Sequence, residues 1–189
     1  MITFFTADEH YYHTSKNGGI IKYMNRPFSN IDEMNERIIL NNNEVVKTND
    51  RVIHVGDTFI RNIYGSIDII KRLKGKHIFL KGSHDKLLKK INKKYPGLIE
   101  YIDCPIYELI LQNKYHVVVC HYCMETWPRS HYNSLHLFAH SHGRLKVTGK
   151  RHDIGVDTNN YYPYSENDII EIMNNKLDNP NYIKKSRRI

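Results

Sequence analysis

Five short phrases hold most of the residues in this sequence that could do chemistry. They are Asp8 and His10 in "TADEHYYH", Asp57 in "HVGDTF", His84 and Asp85 in "LKGSHDK", His121 in "VVVCHYC", and His140 with His142 in "FAHSHGR". Carboxylates and neutral imidazoles are the ligand set of divalent and trivalent first-row metals. The one-residue gaps in DxH and HxH let two side chains enter the same site. Two such ions, about 3.5 to 4 Å apart, can share a carboxylate, clamp a phosphate and activate a water near neutral pH, which is the chemistry of phosphoryl-ester hydrolysis. A histidine held just off the metals would protonate the leaving alkoxide while a neighbouring carboxylate oriented it. His84 and Asp85 fit those two parts.

Taken singly, an Asp after Gly is an ordinary turn residue and a lone His an ordinary structural one. Their shared position argues otherwise, because each phrase follows a strand-like run. The runs are "ITFFTA", "RVIHVG", "HIFLKG", "YHVVVC", "LHLFAH" and "HDIGVDT", rich in Val, Ile and Phe and mostly ended by Gly or polar clusters. Helical spacing lies between several of them. Asn30 with Glu33 caps a helix carrying Ile31, Met34 and Ile38. Ser66 is expected to cap another bearing Ile67, Ile70 and Leu73, with Gly75 ending it. A third runs from about Asp85 through Leu88 and Ile91 to Pro96, and Ser165 caps a fourth holding Ile169, Ile172 and Met173. Strand and helix alternation followed by a strand-rich half implies an α/β domain, whose active residues sit just past strand C-termini.

The chain of 189 residues reads as one domain, with a basic tail at about 183–189. Its 28 Lys and Arg against 20 Asp and Glu leave a formal charge of +8, which favours phosphate esters, nucleotides or nucleic acid as partners. No apolar run approaches the roughly 20 residues that span a bilayer, so a cytoplasmic protein without membrane partners is expected. Cys104, Cys120 and Cys123 form no even disulfide framework. The CxxC spacing in "CHYC" ends a strand-like run instead of opening a helix, against a redox or zinc-ribbon motif.

The ordered set "ADEH", "GDTF", "GSHD", "CH" and "AHSHG" resembles the calcineurin-like metallophosphoesterase superfamily. "IIKYMNRPFSNIDEMNERII", "WPRSHYNSLHLFAHSHG" and "DIGVDTN" resemble its small bacterial and phage members. The resemblance runs from the first strand to about Asn159. It implies two packed mixed β-sheets flanked by helices, a four-layer sandwich with a dinuclear centre of Mn, Fe or Zn at the strand ends. By motif, Asp8, His10 and His142 would hold one metal, Asp57 would bridge, and His121 and His140 would hold the other. His84 would be the proton donor or a phosphate-binding group, supported by Asp85. Two positions depart from the pattern: Ala139 stands where the family has Gly, and Ser83 where it has an Asn that gives a carbonyl oxygen to the second metal. A serine hydroxyl is a shorter, weaker neutral donor, so a looser second site is implied.

Around this set, Arg129 would hold a phosphate or ribose oxygen from a loop over the metals, or be a plain surface residue. Trp127 packs in the core or stacks a nucleobase. Arg26 and His13 line the cleft. Asp157 is first a turn residue and second a partner for a ligand imidazole. His54, His77, His116, His136 and His152 are structural or solvent-facing. The expected substrate is a small diester or nucleotide, with a catalytically weak or inert nucleotide-binding or nucleic-acid-binding protein that retains the fold as the alternative.

Overall fold

The computed structural model describes residues 1–112 and 114–184, so the expected basic tail lies outside the described residues from 185 onward. Four parallel strands, β1 (Thr3–Thr6), β2 (Arg51–His54), β3 (Lys76–Leu80) and β4 (Glu100–Ile102), form the first sheet, and β9 (Tyr164–Ser165) joins it antiparallel to β1. In the second sheet β5 (Ile106–Ile110) is antiparallel to β6 (His116–Cys120), while β6, β7 (Leu135–Phe138) and β8 (Arg151–Asp153) run parallel. The chain is therefore α/β, with two mixed sheets flanked by helices. Among the described residues, no helix is long and apolar enough to cross a membrane.

Period-two alternation sorts the strands onto their faces. Phe5, Ile53, Ile78 and Leu80 point from the first sheet into a core shared with Leu109, Val117, Val119 and Leu137 of the second. Phe79, one residue out of phase, points the other way and packs with Met34, Ile38, Ile69, Leu88 and Ile91 of the helices. Those helices are α2 (Ile31–Val45), α3 (Ile63–Arg72) and α4 (Lys86–Lys94), after a short α1 (Gly19–Tyr23). Full burial of each such side chain contributes about 1.5–3 kcal/mol, so the two apolar layers dominate sheet and helix docking.

The Asn30 side chain caps α2 by accepting from Glu33 N, and Ser165 with Asp168 forms a capping box on α5 (Glu166–Asn174). Ser66 does not begin α3. Asn62 caps it, and Ser66 lies one turn inside with its hydroxyl donating back to Asn62 O at 2.6 Å. Both residue types cap helices, but Ser spends its hydroxyl on the i−4 carbonyl when the helix begins earlier. Strands β4 and β9 have three and two residues, too short to show a period. β5 leaves Ile106 and Ile110 exposed on an edge.

Buried His136 shows what the second sheet asks of a polar group. Its Nδ1–H donates to Val118 O (3.0 Å) and its Nε2 accepts from Met124 N (3.1 Å), which fixes the neutral tautomer. Burial holds its pKa down to about 4, whereas the unfolded imidazole takes a proton near pH 6.5. Between those values the unfolded chain binds more protons, so stability falls as pH drops from about 6.5 to 4. Over that window His136 costs about 3 kcal/mol, to which the partly buried His77 and His152 add in the same direction. His136→Gln keeps one donor and one acceptor and should flatten the acid limb of urea-unfolding stability measured from pH 7 to 4. An unchanged limb would show that His136 is not its source.

Candidate metal centre

Each of the five phrases leaves the C-terminal end of a parallel strand, so the fold gathers them at one end of the two sheets. Five of the six ligand candidates sit in left-handed backbone: Asp8 (φ 56°), His10 (52°), Asp57 (55°), His140 (67°) and His142 (48°). That region is costly for residues other than glycine and concentrates at functional sites. The loops also meet closely enough to require glycine itself. A Cβ on Gly56 (φ 90°) would lie 2.7 Å from His121 Nδ1, and one on Gly82 would lie 2.4 Å from Asp57 Oδ1.

Two trios result. Ligand atoms of Asp8, His10 and His142 all lie within 4.8 Å of one another, and so do those of Asp57, His121 and His140. Asp8 Oδ1, His10 Nε2 and His121 Nε2 are buried without a hydrogen bond, a costly condition that a bound cation would relieve. The remaining polar atoms are occupied in ways that turn lone pairs inward. His121 Nδ1 donates to Val55 O (2.9 Å) and His142 Nδ1 to Asp157 Oδ2 (2.6 Å), which frees both Nε2 atoms as ligands. Asp8 Oδ2 accepts from His140 N (2.8 Å), leaving Oδ1. The donor set fits divalent or trivalent first-row metals.

The electrostatics of the two trios agree with their geometry. Burial pushes the Asp8 carboxyl up to about 7. Burial works against charge on His121 too, but Asp57, 3.3 Å away, and then Asp8 hold its pKa up at about 9. Burial also opposes ionisation of Asp57, yet His121, the Ser83 hydroxyl and His84 N keep it below the usual carboxylate range. A proton on His121 thus supplies positive charge where the ligand geometry would place an ion.

The structure brings His84 and His13 to this cleft. The His84 ring lies 6.0 Å from that of His10 and 6.1 Å from that of His13, and His13 Nδ1 is 3.1 Å from His10 Nδ1. Ser83 donates its hydroxyl to Asp57 Oδ2 at 2.6 Å. Other expectations need correction. Asp85 does not orient His84: its buried carboxylate accepts from the N–H groups of Asp57 (2.6 Å), Gly82 (2.8 Å) and Thr58 (3.1 Å), fastening one loop to the other. Arg26 does not reach substrate. Its side chain is fully buried, donating to Asp8 O, Glu9 O and both oxygens of Asp157. Asp157 is accordingly no mere turn residue, for it joins Arg26 to the imidazole of His142. Trp127 is buried and donates to Ser134 Oγ. Arg129 lines a cavity at the other end of β6 and β7.

Two supporting residues went unread in the sequence. Asp153 holds the "HSHG" loop by accepting from Ser141 Oγ (2.6 Å) and Gly143 N (2.9 Å). Glu9, between two ligand candidates, pairs with His54 Nδ1 at 2.5 Å, and His54 Nε2 continues to His77 Nδ1 at 2.9 Å. A second acid in "ADEH" and a terminal Asp in "RHD" were the available signals.

No family model matches the chain. It is 37% identical over 97 residues to the uncharacterized protein MJ1445 of Methanocaldococcus jannaschii, a match covering 50% of each sequence. The chain thus spans about half the length of that curated relative. Among solved structures it is similar to the protein of unknown function AQ665 from Aquifex aeolicus, with a TM-score of 0.66 and 24% identity over 90% of this chain and 98% of that one. The second likeness is one of fold alone.

Proposed function

We propose that the chain is a metal-dependent phosphoesterase that hydrolyses a small phosphodiester or nucleotide at a two-ion centre. The observation that carries this reading is the pair of facing trios with buried, unpartnered Asp8 Oδ1, His10 Nε2 and His121 Nε2. The resemblance of the five phrases to the calcineurin-like metallophosphoesterases supports it independently. When bound, two such cations would polarise the phosphoryl group and supply an activated water. The chain's own part is positional. Asp157 and Arg26 hold His142 and the Asp8–Glu9 backbone, Val55 O holds His121, and Asp85 holds the Asp57 loop against the Ser83 loop. His84, exposed at the rim, would give a proton to the departing alkoxide.

Hydrolysis of a chromogenic diester and monoester, with and without added Mn and after chelation, tests the reading. Metal-dependent turnover is the expected outcome; none with Mn, Fe or Zn would end it. A second reading, nucleic acid as substrate, is favoured by α4, where five of nine residues are lysines and the helix starts two residues after His84. Cleavage of single-stranded or double-stranded oligonucleotides in the same buffers decides between them.

Ser83 bears on rate. Its hydroxyl is committed to Asp57, and an asparagine would instead offer a carbonyl oxygen, a stronger neutral ligand. Ser83→Asn should raise metal-dependent turnover by about tenfold. An unchanged rate at saturating metal would show that serine is no handicap.

A further inference from the structure

A cavity of about 430 Å³ opens where His116 and Leu135 begin β6 and β7. Those parallel strands deliver His121 and His140 at their opposite ends, and five residues of β6 separate the two sites by about 16 Å. The cavity's charge is one-sided. Lys114, His116, Arg129 and Lys150 line it, and among the described residues no Asp or Glu does. Glu108 lies 3.4 Å from His116 Nε2 but outside the lining, and His116 Nδ1 is buried without a partner. Lys150 Nζ donates to Met173 O and Lys176 O, both at 2.7 Å, which leaves its third N–H. Among the described residues, no hydrogen bond or ion pair engages the side chains of Lys114 or Arg129.

The backbone is strained in the same place. Lys114 (φ 63°), Arg129 (60°) and Asn133 (68°) are all left-handed and all line the cavity. Left-handed backbone at non-glycine residues opposes folding, and neither it nor the cluster of cations at this solvent-exposed rim serves the metal cleft. Together they suit a site completed by an anion. A guanidinium and an ammonium lining one cavity are groups that take a phosphate. The volume exceeds what a bare phosphate fills, since a water occupies about 30 Å³, and it lies in the range of small-molecule pockets. Tyr115 and Tyr132 supply aromatic wall for a ring.

We propose that this cavity is a second anion site, independent of metal, that takes a mononucleotide with its phosphate between Arg129 and Lys114 and its base against the two tyrosines. It stands whether or not the cleft is a phosphoesterase. The test is calorimetric titration of AMP into the full chain after removal of metal by chelation. Arg129→Gly suits the left-handed backbone, so it should melt no lower than the parent while weakening AMP about tenfold or more. Lys114→Ala should weaken AMP in the same direction, and His140→Ala in the metal cleft should leave AMP binding unchanged. The proposal is overturned if AMP fails to saturate by about 10 mM, or if His140→Ala removes binding and Arg129→Gly does not. Inorganic phosphate binding as tightly as AMP would overturn the nucleotide assignment.

Discussion

Asp57→Asn should lower metal-dependent diester hydrolysis by about 10³-fold or more and leave the chain with no more than one tightly held ion. Residues that merely support ligands cost about 10–100-fold when changed, and Asp57 is itself a ligand candidate. Its charge is the reason. Asp57 Oδ2 sits 3.3 Å from His121 Nε2 and Oδ1 accepts from His84 N. Asparagine can keep the second contact through its carbonyl, but it brings no negative charge to a pair of cations. Elemental analysis of the purified variant, beside turnover and a melting curve, checks this. Two retained ions with near-normal turnover would remove Asp57 from the centre.

His84→Ala should lower kcat by about 10²- to 10⁴-fold, the usual worth of a positioned proton donor, with metal content unchanged because His84 belongs to neither trio. The dependence on leaving group separates this role from simple disruption. A nitrophenolate departs without a proton, whereas an alkoxide needs one, so the variant should lose far more on an alkyl diester than on a nitrophenyl one. Equal losses on both would mean that His84 holds phosphate instead of protonating the leaving oxygen.

The ligand candidates were legible because their chemistry is carried by residue type at strand ends, and strand ends announce themselves by a run of Val, Ile or Phe stopping at a polar cluster. Caps at Asn30 and Ser165 were legible for a similar reason, since each helix start is encoded within four residues. What escaped lies at long range. Arg26 meets Asp157 across 131 positions, and its other oxygen acceptors are backbone carbonyls, which look alike in any sequence. Asp85 was misread because adjacency to His84 suggested a pair, while the fold turns its carboxylate inward to three amides. Arg129 follows His121 by only eight residues, yet the chain travels back to the opposite end of the sheet within that span. Sequence proximity carried no information about which end.

Each trio draws on both sheets: Asp8 and His10 follow β1 while His142 follows β7, and Asp57 follows β2 while His121 and His140 follow β6 and β7. Neither half of the molecule owns a complete cage. An ion held by either trio would consequently tie its own binding to the clasp between the two layers in a single equilibrium, acting as a rivet that prying the layers apart would release.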